Sequence, residues 1–424
     1  MNELLIDGIL LLYAHPYAEN APTIKEHVNA FKKYSKSRVW DVNTFAGFPK
    51  GLPKLEFRVI VLHYSLFGSY PFVLNEKFIR YLQNSKASYK IAFFQDEYQY
   101  CPKRFAFVDE LGINCIFSLL EPKYFNDVYY KFTKVGHVFH TLTGYVDDAL
   151  IEKMRQLHKP YLERAYDVGY RARRLPFWMG KDAQEKADIA DKFLLHADGL
   201  GFVLDIKTGE NNRIYGDAWY EFLSNCRAVI GVEAGTSIFD IEDKVRPAVE
   251  RLAANQPNIG FDEVYEKFLA QWEGIIYYRT ISPRVFEAAA LRVCQVLYEG
   301  AYQGILIPMR HYIPLKKDFS NFDVVIEHMR DEALVKKLTD QAYDEIIASG
   351  KYNYRNFVKE FDETLASVGV VFAGSVIDPL AVDLQLRRGR LSRALTLRAK
   401  HFLHKKWPGK SIVKRVLSMF LKKG

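Results

Sequence analysis

Short apolar runs alternate with longer amphipathic stretches along most of the chain, and this alternation constrains the fold more than any other feature. A buried strand of a parallel sheet appears as a brief apolar run, and the helix that follows it appears as a longer segment with one apolar face. Strands and helices in alternation are typical of α/β proteins with parallel sheets. The pattern predicts two α/β domains of similar size around one cleft.

The predicted elements form two sets, one after the other. The first set has the strands GILLLYA, RVIVLHY, KIAFFQD and NCIFSLL and the helices PTIKEHVNAFKKYS and VLNEKFIRYLQNS. The second set has the strands AYDVGYRA, GFVLDI, RAVIGVEA, VCQVLYE and GILIPM and the helices QEKADIADKFLLHA, GDAWYEFLSNC and SPRVFEAAALR. We therefore predict an N-terminal domain over 1–155, a second domain over 156–375 and a tail over 376–424.

Composition excludes several classes of protein. With 49% hydrophobic and 26% charged residues among 424, the chain can form packed cores and is not of the disordered or fibrous kind. Its four cysteines form no CxxC pair, so we expect a reducing cytoplasm and neither a disulfide framework nor a zinc site. The N-terminal apolar run is short and contains Glu3 and Asp7, which argues against a signal peptide, and no apolar window is long enough to span a membrane.

The net charge of +8 comes from the C-terminal tail. Residues 384–424 hold thirteen lysines and arginines and no acid, whereas the rest of the chain has more acidic than basic residues. In SIVKRVLSMFLKK the apolar residues recur at helical spacing, which predicts a basic amphipathic helix at the surface of an anionic membrane. The alternative is a helix whose apolar face docks on the body of the protein. The acidic body argues against nucleic acid as a partner.

The segment Ile281–Asn321 contains the most informative motif. Ser282 followed by Pro283 is typical of a helix start, with serine as the N-cap and proline at the first helical position. Arg284 in the first turn is unfavourable for the helix dipole alone, so we expect an anion at this helix start. Glu287 could accept hydrogen bonds from a ribose diol, or it could be an ordinary acid at a helix start.

SPRVFEAAALR, the strand after it and HYIPLKKDFSN resemble the donor domain of GT-B-fold glycosyltransferases, of the bacterial family 1-like type that builds surface polysaccharides. The resemblance implies two Rossmann-like domains facing a central cleft, a nucleotide-sugar donor and a glycan or lipid-linked saccharide acceptor. It implies that Arg284 lies near phosphate and that Glu287 binds the ribose. It also implies that KKLTDQAYDEIIASGKYNYRNFVKEFDETL forms C-terminal helices, the last of which packs on the first domain.

Further donor-site residues follow from the resemblance of YDVGYRARRLPFWMGKDAQEK and GVEAGTSIFD to strand ends and loops of the same domain. The resemblance implies cations beside the diphosphate and backbone or hydroxyl donors to the donor molecule, although clustered arginines are also common on a solvated surface. The residues implied in this way are Arg171, Arg173, Arg174, Gly235, Thr236 and Ser237, which join Ser282, Arg284 and Glu287. His311 in MRHYIPL follows the donor helix in the chain, and we expect it to contact the phosphate or the sugar.

One position departs from the family pattern. Many retaining members carry a second glutamate eight residues before the ribose-binding one, and this chain has Arg279 there. The sugar-contacting half of the motif is therefore absent, and the choice between a retaining and an inverting mechanism stays open. The resemblance implies that arginine, lysine and helix N-termini neutralise the leaving diphosphate, so we expect neither a metal nor another cofactor.

An inverting enzyme also needs a base that takes the proton of the acceptor hydroxyl, on the side of the N-terminal domain. Asp96 is the first candidate and His63 the second, with Glu97 and His15 as further candidates at predicted strand ends. Asp96 and Glu97 are adjacent, so on a loop they should point apart and one of them would serve. Each candidate could instead be an ordinary turn residue at a strand end.

Three other functions compete with glycosyl transfer. A catalytically silent nucleotide-binding protein would bind a nucleoside diphosphate without turnover, and a sugar-nucleotide 2-epimerase would convert a UDP-sugar without an acceptor. A dinucleotide-dependent oxidoreductase is disfavoured, because no GxGxxG follows the first strand of either domain.

Overall fold

The computed structural model describes residues 5–15, 22–374 and 378–387. The chain divides into two compact units. Unit 1 runs to Thr141 and includes the described residues from Val358 onward, and unit 2 is Leu142–Phe357. The boundary predicted near residue 155 thus lies inside unit 2. Most of the predicted basic tail, including its amphipathic helix, lies outside the described residues.

Unit 1 contains a six-stranded parallel sheet in the order β2-β1-β3-β4-β5-β6. The strands are β1 (Leu5–Tyr13), β2 (Val39–Asn43), β3 (Glu56–Leu62), β4 (Tyr89–Phe93), β5 (Cys115–Ser118) and β6 (His137–His140). Its first helices are α1 (Pro22–Tyr34), α2 (Glu76–Asn84) and α3 (Cys101–Glu110), followed by a π-helical turn over Asn126–Tyr130. The four predicted strands are confirmed.

Strands β2 and β6 were not predicted, because both lie at an edge of the sheet. An edge strand is partly exposed and therefore lacks a continuous apolar run. In β2, buried residues alternate with half-buried ones, and the sequence VWDVN contains a charge. By contrast, the central residues of β1 from Ile9 to Leu12 are completely buried, as is typical of a central strand in a parallel sheet.

Unit 2 contains a five-stranded parallel sheet in the order β13-β12-β9-β7-β8 and a separate antiparallel pair, β10 and β11. The strands are β7 (Tyr166–Arg171), β8 (Leu204–Lys207), β9 (Cys226–Gly231), β10 (Ala234–Thr236), β11 (Tyr278–Thr280), β12 (Cys294–Tyr298) and β13 (Ile313–Leu315). The helices are α4 (Asp148–Leu157), α5 (Lys181–His196), α6 (Asp217–Ser224), α7 (Val245–Asn255), α8 (Phe261–Val264), α9 (Pro283–Ala290), α10 (Phe322–Arg330) and α11 (Glu332–Ala342). π-Helical turns cover Tyr265–Leu269 and Tyr343–Ala348.

The prediction of a strand at GILIPM, residues 304–309, was wrong. The segment before it turns through left-handed residues at Tyr302, Gln303 and Gly304, and the edge strand of the sheet is β13 instead. The buried side chains of Ile305 and Leu306 belong to an apolar cluster with α9. A short apolar run can be buried in a loop as well as in a strand, and periodicity does not distinguish the two.

Both parallel sheets have the same strand order when the strands of each sheet are counted in chain order. The second strand lies on one side of the first, and the third, fourth and fifth strands follow on the other side. The prediction of two Rossmann-like domains is therefore confirmed. In such sheets the order reverses between the first and third strands, and ligands bind outside the carboxyl ends of those strands. These strands are β1 and β3 in unit 1, and β7 and β9 in unit 2.

The C-terminal helices α12 (Tyr354–Ser367) and α13 (Pro379–Arg387) return the chain to unit 1. Phe361 packs edge-on against Phe31 of α1 at 4.9 Å between ring centres. Asp383 accepts a hydrogen bond from Trp40 Nε1 at 3.0 Å. This packing agrees with what the resemblance implied for the last helices. Within the described ranges, none of the helices combines the length and the apolar character that a bilayer-spanning helix requires.

Candidate functional site

The start of α9 lies at the carboxyl edge of the unit 2 sheet. Ser282 is the N-cap, in an extended conformation, and Pro283 is the first helical residue, which confirms the predicted helix start. The Ser282 side chain makes no capping hydrogen bond. The Arg284 guanidinium donates to the backbone carbonyl of Arg171, the last residue of β7. Because β7 is one of the two strands where the order reverses, the start of α9 is next to the expected binding crevice.

Glu287 is held from one side by a residue that the sequence did not single out. Trp219 of α6 donates its indole N–H to Glu287 Oε2 at 2.7 Å, and the Arg284 guanidinium lies 4.9 Å from the centre of the same indole. Burial raises the pKa of Glu287, while the Trp219 hydrogen bond and the Arg284 charge act in the opposite direction. No described residue donates to the second carboxylate oxygen, Oε1. The carboxylate is thus oriented by protein and can still accept a hydrogen bond from a ligand.

The three clustered arginines separate in the structure. The Arg171 side chain is buried and donates to Asp205 Oδ2 at 2.6 Å, to Asp205 O at 2.6 Å and to Tyr170 O at 2.8 Å. Arg174 is exposed and pairs with Asp191 at 2.7 Å, and Arg173 is also exposed. The bonds of Arg171 bind β7 to β8, so its guanidinium is already engaged by the protein. The phosphate-binding role of the three arginines stays a prediction.

Gly235, Thr236 and Ser237 form and follow the short strand β10 rather than an open loop. Gly235 has a φ of +111°, and a Cβ atom there would lie 1.8 Å from the carbonyl oxygen of Tyr278 in β11. The Thr236 hydroxyl donates to Met179 O, and Ser237 Oγ accepts from the backbone N–H of Asp182 at 3.2 Å. Both hydroxyls are buried and hold the turn between β7 and α5. Their contact with a donor molecule stays a prediction.

Arg279 is surrounded by three carboxylates from distant parts of unit 2. Its guanidinium lies 3.2 Å from Asp182, 2.8 Å from Glu185 and 3.4 Å from Glu233. Burial raises the pKa of Asp182, although the Arg279 charge opposes this. Lys317 also pairs with Glu185. No local sequence signal connects these residues, because they follow different strands and meet only at the carboxyl edge of the folded sheet.

His311 is buried and uses both ring nitrogens within the protein. Nδ1 accepts from the backbone N–H of Ile307 at 3.2 Å, and Nε2 donates to Glu345 at 2.9 Å. Arg310 binds the same carboxylate at 2.6 Å. The Arg310 hydrogen bond, followed by that of His311, lowers the pKa of Glu345 to about 2. His311 therefore joins its loop to the π-helical turn that follows α11, and its contact with phosphate or sugar stays a prediction.

The histidine candidates of unit 1 lie in its interior at the ends of β1 and β3. His63 is completely buried, and its Nδ1 accepts from the backbone N–H of Ser65 at 3.1 Å. Its ring centre is 5.0 Å from that of His27 on α1. Burial, and secondarily the charge of His27, lowers the pKa of His63 well below its ordinary value. His15 is buried as well, and its backbone N–H donates to Asn43 at 3.1 Å.

The adjacent acids after β4 point apart, as the sequence suggested. Asp96 is exposed, adopts a left-handed backbone conformation and accepts a hydrogen bond from the Tyr98 hydroxyl at 3.3 Å. Glu97 is buried and accepts from Ser118 Oγ and from the backbone N–H of Leu119, each at 2.9 Å. The Glu97 carboxylate therefore holds the end of β5 inside the unit. Of the three catalytic candidates Asp96, His63 and Glu97, Asp96 is the one at the surface.

Neither a protein-family model nor a curated protein matches the sequence. Among solved structures, the chain is similar to an alpha-glucosyltransferase in complex with UDP-glucose and DNA, with 13% identity, a TM-score of 0.48 and coverage of 85% of this chain and 98% of that one. It is also similar to Anabaena HepE in complex with UDP, with 9% identity, a TM-score of 0.46 and coverage of 85% and 100%.

A third similar structure is TarM, with 12% identity, a TM-score of 0.39 and coverage of 74% of this chain. The match spans about half the length of TarM, 55%.

Proposed function

We propose that this protein is a glycosyltransferase that moves a sugar from a nucleotide-sugar donor to a glycan or lipid-linked saccharide acceptor. The observation that carries the proposal is the oriented Glu287 carboxylate, held by Trp219 at the start of α9 with Arg284 beside it. An ionised carboxylate makes strong hydrogen bonds to a ribose diol. The helix N-terminus and the guanidinium attract the diphosphate that is joined to that ribose.

The chemistry asks the protein to stabilise a leaving group. As the bond between the anomeric carbon and the diphosphate oxygen breaks, its electron pair stays on that oxygen and negative charge grows there. The backbone amides at the start of α9 and the Arg284 guanidinium would stabilise this charge without a metal ion. The acceptor hydroxyl forms the new bond to the anomeric carbon, and its proton goes to a base. Asp96 is our first candidate for that base, because its carboxylate is exposed at the end of β4.

A thermal-shift screen against UDP-, GDP-, dTDP- and CMP-sugars tests the donor class. We expect a shift with one nucleotide family and a loss of that shift in Glu287→Gln. Glutamine keeps an acceptor for Trp219 and removes the charge, so binding should fall by about 1.5–3 kcal/mol while the fold is kept. Glu221→Gln on α6 is a matched control whose binding should not change. If the Glu287→Gln variant binds as tightly as the parent, the ribose assignment is wrong.

The alternatives differ in what happens after binding. Release of free sugar or transfer to a saccharide, with release of the nucleotide, supports the transferase. Saturable binding without either reaction supports a silent nucleotide-binding protein. Conversion of a UDP-sugar into its 2-epimer without an acceptor supports the epimerase.

We further propose that residues 384–424 attach the enzyme to an anionic membrane, where a lipid-linked acceptor would be found. The support is the thirteen basic residues and the apolar spacing of SIVKRVLSMFLKK. Each basic residue near anionic headgroups contributes about 1 kcal/mol. The test is co-sedimentation with phosphatidylglycerol vesicles, comparing the full chain with one that ends at Arg387 and so keeps α13 whole. The proposal fails if both proteins pellet equally, or if neither pellets at low salt.

A further inference from the structure

We propose that Arg279 is a positioning residue that sets the start of α9 against the turn between β7 and α5, and so aims the helix N-terminus at the leaving group. The inference rests on the proposed function of the α9 site. Position 279 is the one at which the sequence departs from the family that it resembles. In this inference Arg279 acts by holding other protein groups in place and does not contact the sugar.

The first observation is that the Arg279 guanidinium is surrounded by three acids whose side chains are at most 15% exposed. Nη2 donates to Glu185 of α5 at 2.8 Å, and Nε donates to Glu233 at 3.4 Å. Nη1 forms an ion pair with Asp182 of α5 at 3.2 Å without a hydrogen bond. The exposed fractions of these four side chains are between 6% and 15%. A guanidinium has a planar fork of donors that can serve three acceptors, whereas a lysine ammonium has one centre of charge. The arginine therefore joins the start of α5 to the segment that follows β9.

The second observation is that Arg279 is connected to α9 by very little chain. It lies in β11, and two residues separate that strand from the first turn of α9. In the antiparallel pair, Arg279 stands opposite Gly235 of β10. Gly235 allows the backbones to approach so closely that a Cβ atom would clash with Tyr278 O. A displacement of the Arg279 side chain would therefore be transmitted through the strand to the helix start.

The third observation is a set of hydrogen bonds on the peptide just before the N-cap. The N–H of Ile281 donates to the side chain of Gln303 at 2.9 Å, and its carbonyl accepts from the Thr143 hydroxyl. Glu233, which binds Arg279 through Oε2, accepts the N–H of Tyr302 at its other oxygen at 2.7 Å. One circuit of contacts thus runs from Arg279 through Glu233 and the loop at 302–303 to Ile281, and the backbone from 281 to 279 closes it. The circuit includes Ile281, the residue before the N-cap Ser282.

Stability alone is a weak reason for such a cluster. The cost of burying one guanidinium and three carboxylates offsets much of their attraction, and apolar residues of similar size often serve a core as well or better. Side chains fixed by a supporting set of hydrogen bonds are what a catalytic group needs, since a displacement of about 1 Å can reduce turnover by about a hundredfold. The α9 start, with its amides and Arg284, is the group that this cluster supports.

The test compares Arg279→Lys with Arg227→Lys, a control at the partly buried Arg227–Asp167 pair of the same unit. We measure hydrolysis of the nucleotide-sugar that the parent cleaves. All proteins are assayed at one temperature, about 20 °C below the lowest of their melting midpoints. We expect Arg279→Lys to lower kcat by about tenfold and to change the dissociation constant of the nucleoside diphosphate by less than about threefold. The control should keep its kcat. If Arg279→Lys lowers the melting temperature and leaves kcat unchanged, its role is merely structural and the inference is wrong.

A second variant tests the same circuit without changing a charge. Gln303→Asn keeps a residue type that tolerates the left-handed backbone of position 303, but its side chain is too short to reach Ile281. We expect a lower kcat here as well. In an Arg284→Met background, Arg279→Lys should have less than about a twofold further effect, because both changes act on one group. If the losses in kcat from Arg279→Lys and Arg284→Met instead multiply in the double variant, the inference is wrong.

The outcomes also separate this inference from the proposed function. If Glu287→Gln loses nucleotide binding while Arg279→Lys and Gln303→Asn both turn over as the parent does, the function stands and the positioning role is wrong. If the parent protein neither binds nor cleaves any nucleotide-sugar of the panel, the proposed function fails and this inference fails with it.

Discussion

The two units share one strand order, yet the carboxyl edges of their sheets are chemically different. In unit 2 the residues at this edge are charged, and Arg171, Arg279 and Arg284 are each bound to acids or carbonyls. In unit 1 the corresponding strand ends carry the buried imidazoles of His15 and His63. The shared topology decides where a ligand crevice can form, and the residues that follow each strand decide what it can bind.

This difference suggests that the two units have different roles in the reaction. The charged edge of unit 2 suits a donor with a diphosphate, because cations and a helix N-terminus are present there. The edge of unit 1 offers one exposed carboxylate among its catalytic candidates, Asp96, which suits proton transfer from a neutral hydroxyl. Four substitutions test this contrast, beginning with the one for which we expect the strongest effect.

Removal of the Asp96 carboxylate should have the largest effect on turnover. Loss of a general base typically costs about 10²–10⁴ in rate, so Asp96→Asn should reduce sugar transfer by at least about a hundredfold. Because Asp96 belongs to unit 1, nucleotide binding should be unchanged by calorimetry. Asp127→Asn, at another exposed acid of unit 1, serves as the control. Normal transfer by Asp96→Asn would show that Asp96 is not the base.

A methyl group at Gly235 should destabilise unit 2. The residue has a φ of +111° and no room for a Cβ atom, so Gly235→Ala should cost about 3 kcal/mol or more of unfolding free energy. Gly199→Ala is the matched control: its φ is +75°, but no atom lies within 4 Å of the added Cβ. We expect about 1 kcal/mol there. Equal losses in urea denaturation would mean that the close approach of β10 to β11 is unimportant.

Neutralising Arg284 should affect the reaction more than binding. Arg284→Met removes a charge that matters most as the leaving group develops, so we expect kcat to fall by about a hundredfold. The affinity for nucleoside diphosphate should fall much less. Arg155→Met, at an exposed arginine of α4, is the control. A larger loss in affinity than in kcat would place the role of Arg284 in ground-state binding.

The buried imidazoles should make unit 1 sensitive to acid. Burial lowers the pKa of His27 to about 3, against an ordinary value of 6.5. Above pH 6.5 both the folded and the unfolded imidazole are neutral, so stability does not change with pH through this group. Between pH 6.5 and about 3 only the unfolded chain binds the proton, and stability falls as the pH falls.

The slope from one such group is about 1.4 kcal/mol per pH unit. Urea denaturation at about pH 7.5, 6 and 5 measures this slope. His27→Phe should reduce it by the contribution of one proton bound in the unfolded chain. His196→Phe is the control, because the His196 ring lies outside unit 1, next to Phe319. An unchanged slope in His27→Phe would mean that His27 does not remain neutral in the folded protein.

Local patterns predicted much of the fold and part of the site. The central strands were predicted because their apolar runs are continuous, and the start of α9 was predicted because serine and proline specify a helix start by themselves. The edge strands β2 and β6 were missed, since half-exposed strands have no comparable run. Trp219 was missed as well, because nothing near it in the chain indicates a partner at Glu287.

Sequence patterns alone were sufficient to identify the alternation of strands and helices, the acidic body with its basic tail, and the motif from Ser282 to Glu287. These properties depend on residues within one or two turns or strands of each other, so local rules suffice. The folded chain was needed to show that Asp96 faces solvent while Glu97 is buried, and that Arg279 meets acids 94 and 46 residues away. Burial and charge pairing arise when distant segments pack on one sheet edge, and no local pattern records which segments will meet.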